Sequence, residues 1–549
     1  ILSGVFKNNT AILAGDPLSG LDKMEQWKEY FYKMLNECNQ TNNNNNKLIK
    51  EAKQDLAIDT NNFTMNELEY AMKNLKSGKS AGGDNIISEM LKFGGNSIKS
   101  MLLDICNKVY NSNLPPSQWL NNIIIPMYKK GNPTNMGNYR GITLMSIPAK
   151  LYNKILLNRI YPEINRILRP NQAGFRRNHS CIEHINTLRR IIEGTKDKQL
   201  PLITSYIDFA KAFDTINREK MFHILRHYGI PLKIVSAIKC LYDNSKSHIR
   251  IDGNKSDDFV VNTGILQGDT LAPFLFIIVM DYVLTNVPNL FGIVTHEQQN
   301  KSISDLEFAD DVVLFDESPE SARIHLTALI NSADKVGLKV NIEKSKYMTN
   351  IKQNDPLIVP IIANIKTNNK SNPKTINDMI EKVSEFRYLG SLMSSYQADF
   401  NERKHKARCV FWSMKKVWNS KEISTDLKIK IFNVTCIPVL LYGCETWILT
   451  EKLKSDLDIF ALNCYRWLLG IRKINKIKNE IIYNRVGKCP LHETVQMRQK
   501  NFIIKTQNKP DGNIAKTYLT YVPEHGKRRV GKPARSYGGY IASLMVDPT

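Results

Sequence analysis

Two adjacent acids set between alternating apolar residues constrain this chain more than any other stretch. In Leu306-Glu307-Phe308-Ala309-Asp310-Asp311-Val312-Val313-Leu314-Phe315, Leu306 and Phe308 precede the acids and Val313 and Phe315 follow them. A period of two on either side predicts a strand, a tight turn and a second strand, with the acids at the turn. Alone, such a pair is most simply a solvated hairpin tip. Well upstream, however, the β-rich segment Leu202 to Phe209 carries Asp208 near its C-terminal end. If the two segments share one sheet, Asp208 and Asp310 converge at its rim with Asp311 beside them. Clustered carboxylates repel one another unless a cation lies between them, and Mg²⁺ prefers such hard oxygen ligands.

The bulk of the chain agrees with a nucleic-acid partner. Its 549 residues hold 76 Lys and Arg against 53 Asp and Glu, a net charge of +23, and hydrophobic residues make up 42%. That is a globular composition with a surplus of positive charge suited to a polyanion. Nine Cys show no paired metal spacing, which fits reduced intracellular thiols. No secretory signal is read. The apolar run Leu271 to Met280 holds Pro273 and falls short of the ~20 residues that span a bilayer, so it predicts a core helix and no membrane partner. The chain opens at Ile1, as expected of a piece of a longer reading frame.

Met24, Trp27, Phe31 and Leu35 lie at helical spacing, Thr41 and the run Asn42–Asn46 read as a disordered linker, and Thr64 with Glu67 predicts a capping box. Ser77 to Ile86 lacks the frame and the preceding strand of a phosphate loop. An apolar strand then enters Lys129-Lys130-Gly131 and reaches Arg140, a hairpin chemically suited to a triphosphate. Phe175, Arg176 and Arg177 suit stacking with phosphate contact, although an exposed basic loop reads equally simply. His179 and His184 have no partners at metal spacing. Gly264 and Gly268 bracket Gln267 in a turn that permits a close backbone approach to a ligand.

Tyr206 to Asp214, Gly264 to Asp269 and Phe308 to Asp311 stand in the order and rough spacing of reverse-transcriptase motifs A, B and C. Their wording resembles the enzymes of non-LTR (LINE-type) retrotransposons, from about Leu75 to about Trp467. The resemblance implies an α+β right-hand polymerase: fingers, a palm with an antiparallel sheet, a helical thumb, and a basic C-terminal region. Its expected divisions are 1–60 as an N-terminal extension and Asn-rich linker, 61–395 as fingers and palm, 396–475 as thumb, and 476–549 as a basic tail. Asp208, Asp310 and Asp311 would hold two Mg²⁺ ions (or Mn²⁺), roughly 3.5–4 Å apart in polymerases generally, with Asp311 the least direct ligand. Lys344 would lie near the leaving pyrophosphate, an exposed Lys being the plainer alternative.

The resemblance further implies that Arg140, Lys129, Phe213, Gln267 and Gly268 meet the nucleotide, and that Phe175, Arg176 and Arg177 follow the template. Tyr388, Leu389 and Gly390 would form the primer grip. Phe213 would sit under the sugar and reject a 2′-hydroxyl, and core packing explains it equally well. Implied partners are template RNA, a DNA primer and deoxynucleoside triphosphates. An endonuclease would act in trans or from a missing N-terminal part. The setting would be nuclear or a cytoplasmic ribonucleoprotein, with Gly526 to Pro533 as a phosphate-binding or import run. Two rivals remain at this point: a non-catalytic nucleic-acid-binding remnant, and an RNA-templated RNA polymerase.

Overall fold

The computed structural model describes residues 21–36, 49–288, 292–296, 301–351, 361–367, 374–527 and 536–546. The strand Ile203–Ile207 is buried at every position, as a β-branched and aromatic run flanked by strands on both sides must be. It pairs antiparallel with Asp311–Asp316 on one side and with Lys346–Thr349 on the other. Asp305–Phe308 lies beyond Asp311–Asp316. Lys374–Lys382 pairs parallel with Lys346–Thr349, and Ile361–Thr367 closes that edge. The palm sheet is therefore antiparallel apart from one pair. The helix Ala272–Thr285 is buried along nearly its whole length, the core helix its apolar run predicts. No helix among the described residues is long and apolar enough to cross a membrane.

A second sheet forms the fingers. Asn121–Tyr128 pairs antiparallel with Tyr139–Leu144 and parallel with Lys246–Ile251. The helix Leu21–Asn36 lies on it, burying Met24, Trp27, Phe31 and Leu35 against Ile124, Ile249 and Phe259. Gly141 is required there, because a Cβ would meet Phe31 Cε1 at 2.6 Å. The expected N-terminal extension thus supplies a packed element of the fingers. Thr41 and Asn42–Asn46 lie outside the described residues. The capping box at Thr64 forms in both directions, and Glu67 also receives the guanidinium of Arg159 at 2.6 Å.

The C-terminal third departs from its expected division. Helices Tyr396–Ser413, Thr425–Leu440 and Glu451–Leu468 share one core with Ile482, Val495, Ile503, Tyr540 and Leu544. Residues beyond 475 are therefore part of the thumb rather than a basic tail. Their apolar positions are spread among lysines and arginines, which masked the period. The basic stretch leading to Trp418 forms two helices, Tyr396–Ser413 and Lys415–Asn419, divided at Met414. Residues 528–535, most of the basic run from Gly526 to Pro533, lie outside the described residues. Arg189 joins palm to thumb through a buried ion pair with Asp399 at 2.7 Å, to which Trp447 Nε1 also donates.

Candidate active site

The antiparallel register brings the acids together. Ile207 faces Val312, so Asp208, one residue on, leaves its strand beside Asp311, the first residue of its own. Phe308 pairs with Asp311, and Ala309 and Asp310 make the two-residue turn between them. Each acid feels the others. Desolvation raises Asp311 to about 6, reinforced by the charges of Asp310 and Asp208. Asp311 is nonetheless accessible to solvent. Asp208 is likewise raised, first by desolvation, while Lys344 opposes the shift and Asp310 adds to it. Among the described residues no three His, Cys, Asp or Glu side chains close tightly enough to hold an ion between them alone. The donor set still fits Mg²⁺, which takes one or two carboxylates and completes its shell with water and substrate phosphates.

Side chains beneath the acids hold this arrangement. Gln172 is fully buried; its Oε1 accepts from Ala309 N–H at 2.9 Å and Gly174 N–H at 2.7 Å, and its Nε2 donates to Glu307 at 3.0 Å. Ala309 has φ 57°, uncommon for a residue with a Cβ, at the corner that presents Asp310. A Cβ on Gly174 would meet Ala309 N at 2.2 Å, so only glycine lets this segment lie so close to the turn. On the other flank, Asp208 N–H donates to Ser345 Oγ at 3.1 Å and Asp208 O accepts from Asn341 N–H at 2.7 Å. Sequence reasoning missed Gln172, Asn341 and Ser345 as supports. Their only signal in the sequence is closeness to Phe175 and to Lys344.

A basic wall faces the acids. Met127 pairs with Arg140 across the fingers hairpin, and Lys129 N–H donates to Asn138 O. Lys129 lies below its ordinary value through desolvation and the neighbouring charges of Arg140 and Lys130, with Asp208 acting in the opposite sense. Lys129, Lys130 and Lys344 all act on Asp208. Below them, Gln267 Nε2 donates to Asp214 Oδ1 at 2.7 Å. Desolvation raises Asp214 to about 6 against that bond and the charges of Lys211 and Arg140.

Three expected roles change. Gly264 and Gly268 do allow close approach, but to protein backbone: Cβ atoms there would meet Asp214 O at 2.6 Å and Thr143 O at 2.2 Å. Arg176 spends its guanidinium on Asn165, Arg169 O and Gln172 O, leaving exposed Arg177 and Phe175 as the members of that block turned to solvent. Arg176 is committed because its loop has carbonyls that only a forked donor can satisfy together. Tyr388 is buried, and the half-exposed turn residues are Leu389 and Gly390, with φ 46° and 83°. Arg403 donates to Gly390 O, and Tyr442 Oη to Leu389 O at 2.8 Å, pinning that tip to the thumb. Phe213 packs in part, as one of its two readings has it: one face stacks on Phe276 at 4.4 Å, while the ring is only half-buried and meets Phe175 edge-on at 6.2 Å.

Strand-end carboxylates facing a basic hairpin are an arrangement chemically suited to nucleotidyl transfer. Residues 127–393 match the family described as reverse transcriptase (RNA-dependent DNA polymerase). The chain is 30% identical over 207 residues to the Pol polyprotein of the type-2 retrotransposable element R2DM of Drosophila melanogaster, covering 38% of this chain and 19% of that one. It is 25% identical to a probable RNA-directed DNA polymerase from transposon BS of the same species, covering 70% of this chain and 42% of that one. It is 24% identical to the type-1 element R2 Pol polyprotein of Popillia japonica, covering 62% and 47%. Residues 127–393 thus match a reverse-transcriptase domain, and the chain is similar to polymerases of non-LTR retrotransposons. It spans less than half the length of each of these three relatives. Among solved structures, apo telomerase from Candida tropicalis, truncated from its C-terminal domain, aligns over 43% of this chain and 52% of that one, at 14% identity and a TM-score of 0.32, too low to bear on the fold.

Proposed function

We propose that this chain extends a DNA primer on an RNA template, adding deoxynucleotides to the 3′-hydroxyl. One observation carries the reading: Asp208 follows the end of one strand and Asp311 opens its neighbour, with Asp310 in the turn just before Asp311, facing Lys129, Lys130 and Lys344. Asp208 and Asp310, with Asp311 beside them, would hold two Mg²⁺ ions. Bound Mg²⁺ lowers the pKa of a coordinated hydroxyl and neutralises charge on the reacting phosphates. Arg140 and Lys129 grip the triphosphate, Arg by its fork and Lys as a point charge. Lys344 stands where charge builds on the departing pyrophosphate. Gln267, oriented by Asp214, and the open side of Phe213 meet the base and sugar. Arg177 and Phe175 follow the template, and the Leu389-Gly390 tip meets the primer. Target nicking comes from another part of the reading frame or another protein, and the complex works in the nucleus or a cytoplasmic ribonucleoprotein.

The test is primer extension on poly(rA)/oligo(dT) with dTTP and Mg²⁺. Wild-type protein incorporates dTTP, and Asp310→Asn or Asp208→Asn reduces incorporation by several orders of magnitude. Full incorporation by Asp310→Asn would overturn the site.

A further inference from the structure

The thumb carries a second aromatic feature that the palm chemistry does not use. Four of the six tryptophans, Trp27, Trp119, Trp418 and Trp447, are at most 5% exposed, whereas Trp412 and Trp467 are 45% and 49% exposed. Those two touch each other edge to face, with centroids 5.2 Å apart and planes at 79°. Two helices bring them together. Lys404 on Tyr396–Ser413 reaches Asp456 on Glu451–Leu468 at 3.8 Å, and further along the same helices Trp412 meets Trp467. The helices therefore run in the same direction and deliver both indoles to one end. Between the two contacts, the charge of Arg408 acts on Cys464.

The surroundings are cationic. Arg408, Lys415 and Lys416 are exposed on the Trp412 side, and Arg472, Lys476 and Lys478 are exposed just beyond Trp467. The nearby acids Glu402 and Asp456 are already paired, with Arg387 and Lys406 and with Lys404. An edge-to-face pair leaves indole surface open to a further flat ring, and positive side chains around it match a phosphate backbone. A protein hot spot would instead place such aromatics in an apolar, charge-depleted centre.

We propose that Trp412 and Trp467, with Arg408 beside them, form a stacking platform for a single-stranded segment of nucleic acid, apart from the acid cluster of the palm. Bases stack on the open indole faces while the surrounding cations follow the phosphates, a combination that tolerates any sequence.

Intrinsic tryptophan fluorescence reads this directly, since the other four indoles are buried. Titrating the full chain with a short oligo(dT) quenches the emission, and bound oligo(dT) shields wild-type protein from acrylamide quenching. The double variant Trp412→Leu/Trp467→Leu binds about tenfold more weakly, and Arg408→Gln weakens binding while making its loss with added salt shallower. Unchanged acrylamide quenching of the wild type on saturation with oligo(dT) overturns the proposal without recourse to any variant. So does a folded double variant with undiminished affinity, including one that has lost self-association instead. Loss of primer extension in Asp310→Asn leaves this binding intact, so failure of the polymerase reading and failure of the platform are separable.

Discussion

Gln172 Oε1 accepts the backbone N–H of Ala309 at 2.9 Å, one residue before Asp310. The bond spans most of the palm in sequence and fixes a left-handed corner that alanine does not favour. Gln172→Leu leaves a buried N–H and the Glu307 carboxylate without their partner, at a cost of about 1–3 kcal/mol. The expected kinetic signature is a fall of ten- to a hundredfold in kcat for primer extension with little change in KM for the nucleotide. Gln172→Glu keeps the acceptor but sets a second carboxylate against buried Glu307, so it does not recover the loss. Equal effects on kcat and on protein yield alone would mark Gln172 as a purely structural residue.

Asp311 ties stability to pH. Its folded carboxyl is raised to about 6 from the usual 3.8. The folded chain therefore holds a proton that the unfolded chain has already lost across that window, and stability falls as pH rises through it. Asp311→Asn removes the penalty, so the variant melts above the wild type at neutral pH and the two converge below the usual carboxylate range. Because Asp311 is accessible to solvent, the gain stays under about 1 kcal/mol. Adding Mg²⁺ stabilises the wild type more than the variant, measured by Tm with and without chelator.

The basic wall separates binding from chemistry. Arg140→Ala and Lys129→Ala each raise KM for dTTP about tenfold, the equivalent of ~1.4 kcal/mol. Lys344→Ala acts mainly on kcat if it serves the leaving group. A Lys344→Ala variant whose only change is in KM would move that residue to ground-state binding.

Phe213→Ala opens space between Phe276 and the nucleotide side of the palm. Since the ring is half-buried, the loss of stability is about 2 kcal/mol, less than for a fully buried aromatic. Ribonucleotide incorporation relative to deoxynucleotide rises in Phe213→Val. No rise in the ratio would leave Phe213 as packing alone.

Asp399→Ala strands Arg189 at the palm–thumb junction and costs about 3–5 kcal/mol. The urea midpoint falls accordingly. The same junction receives Tyr537, which is buried, lies under the guanidinium of Arg190 at 4.0 Å and donates to Glu445 O at 2.7 Å. Removing residues 536–549 therefore destabilises the thumb as well, where a dispensable tail would leave the midpoint unchanged.

Local patterns in the chain determined the acid hairpin, the capped helix after Thr64, the apolar face of Met24, Trp27, Phe31 and Leu35, and the central core helix. Periods of two and of about four, with polar caps, are written in neighbouring residues and need no knowledge of distant ones. Tertiary structure alone decided that Asp208 ends beside Asp311, because strand register depends on which segments bury each other's side chains. It also committed Arg176 and Gln172 to backbone groups, buried Tyr388, and folded the lysine-rich segment after 475 into the thumb. A polar side chain reads the same in sequence whether it meets water, substrate or a buried carbonyl. The difference lies in desolvation and hydrogen-bond geometry, which exist only once remote segments have packed.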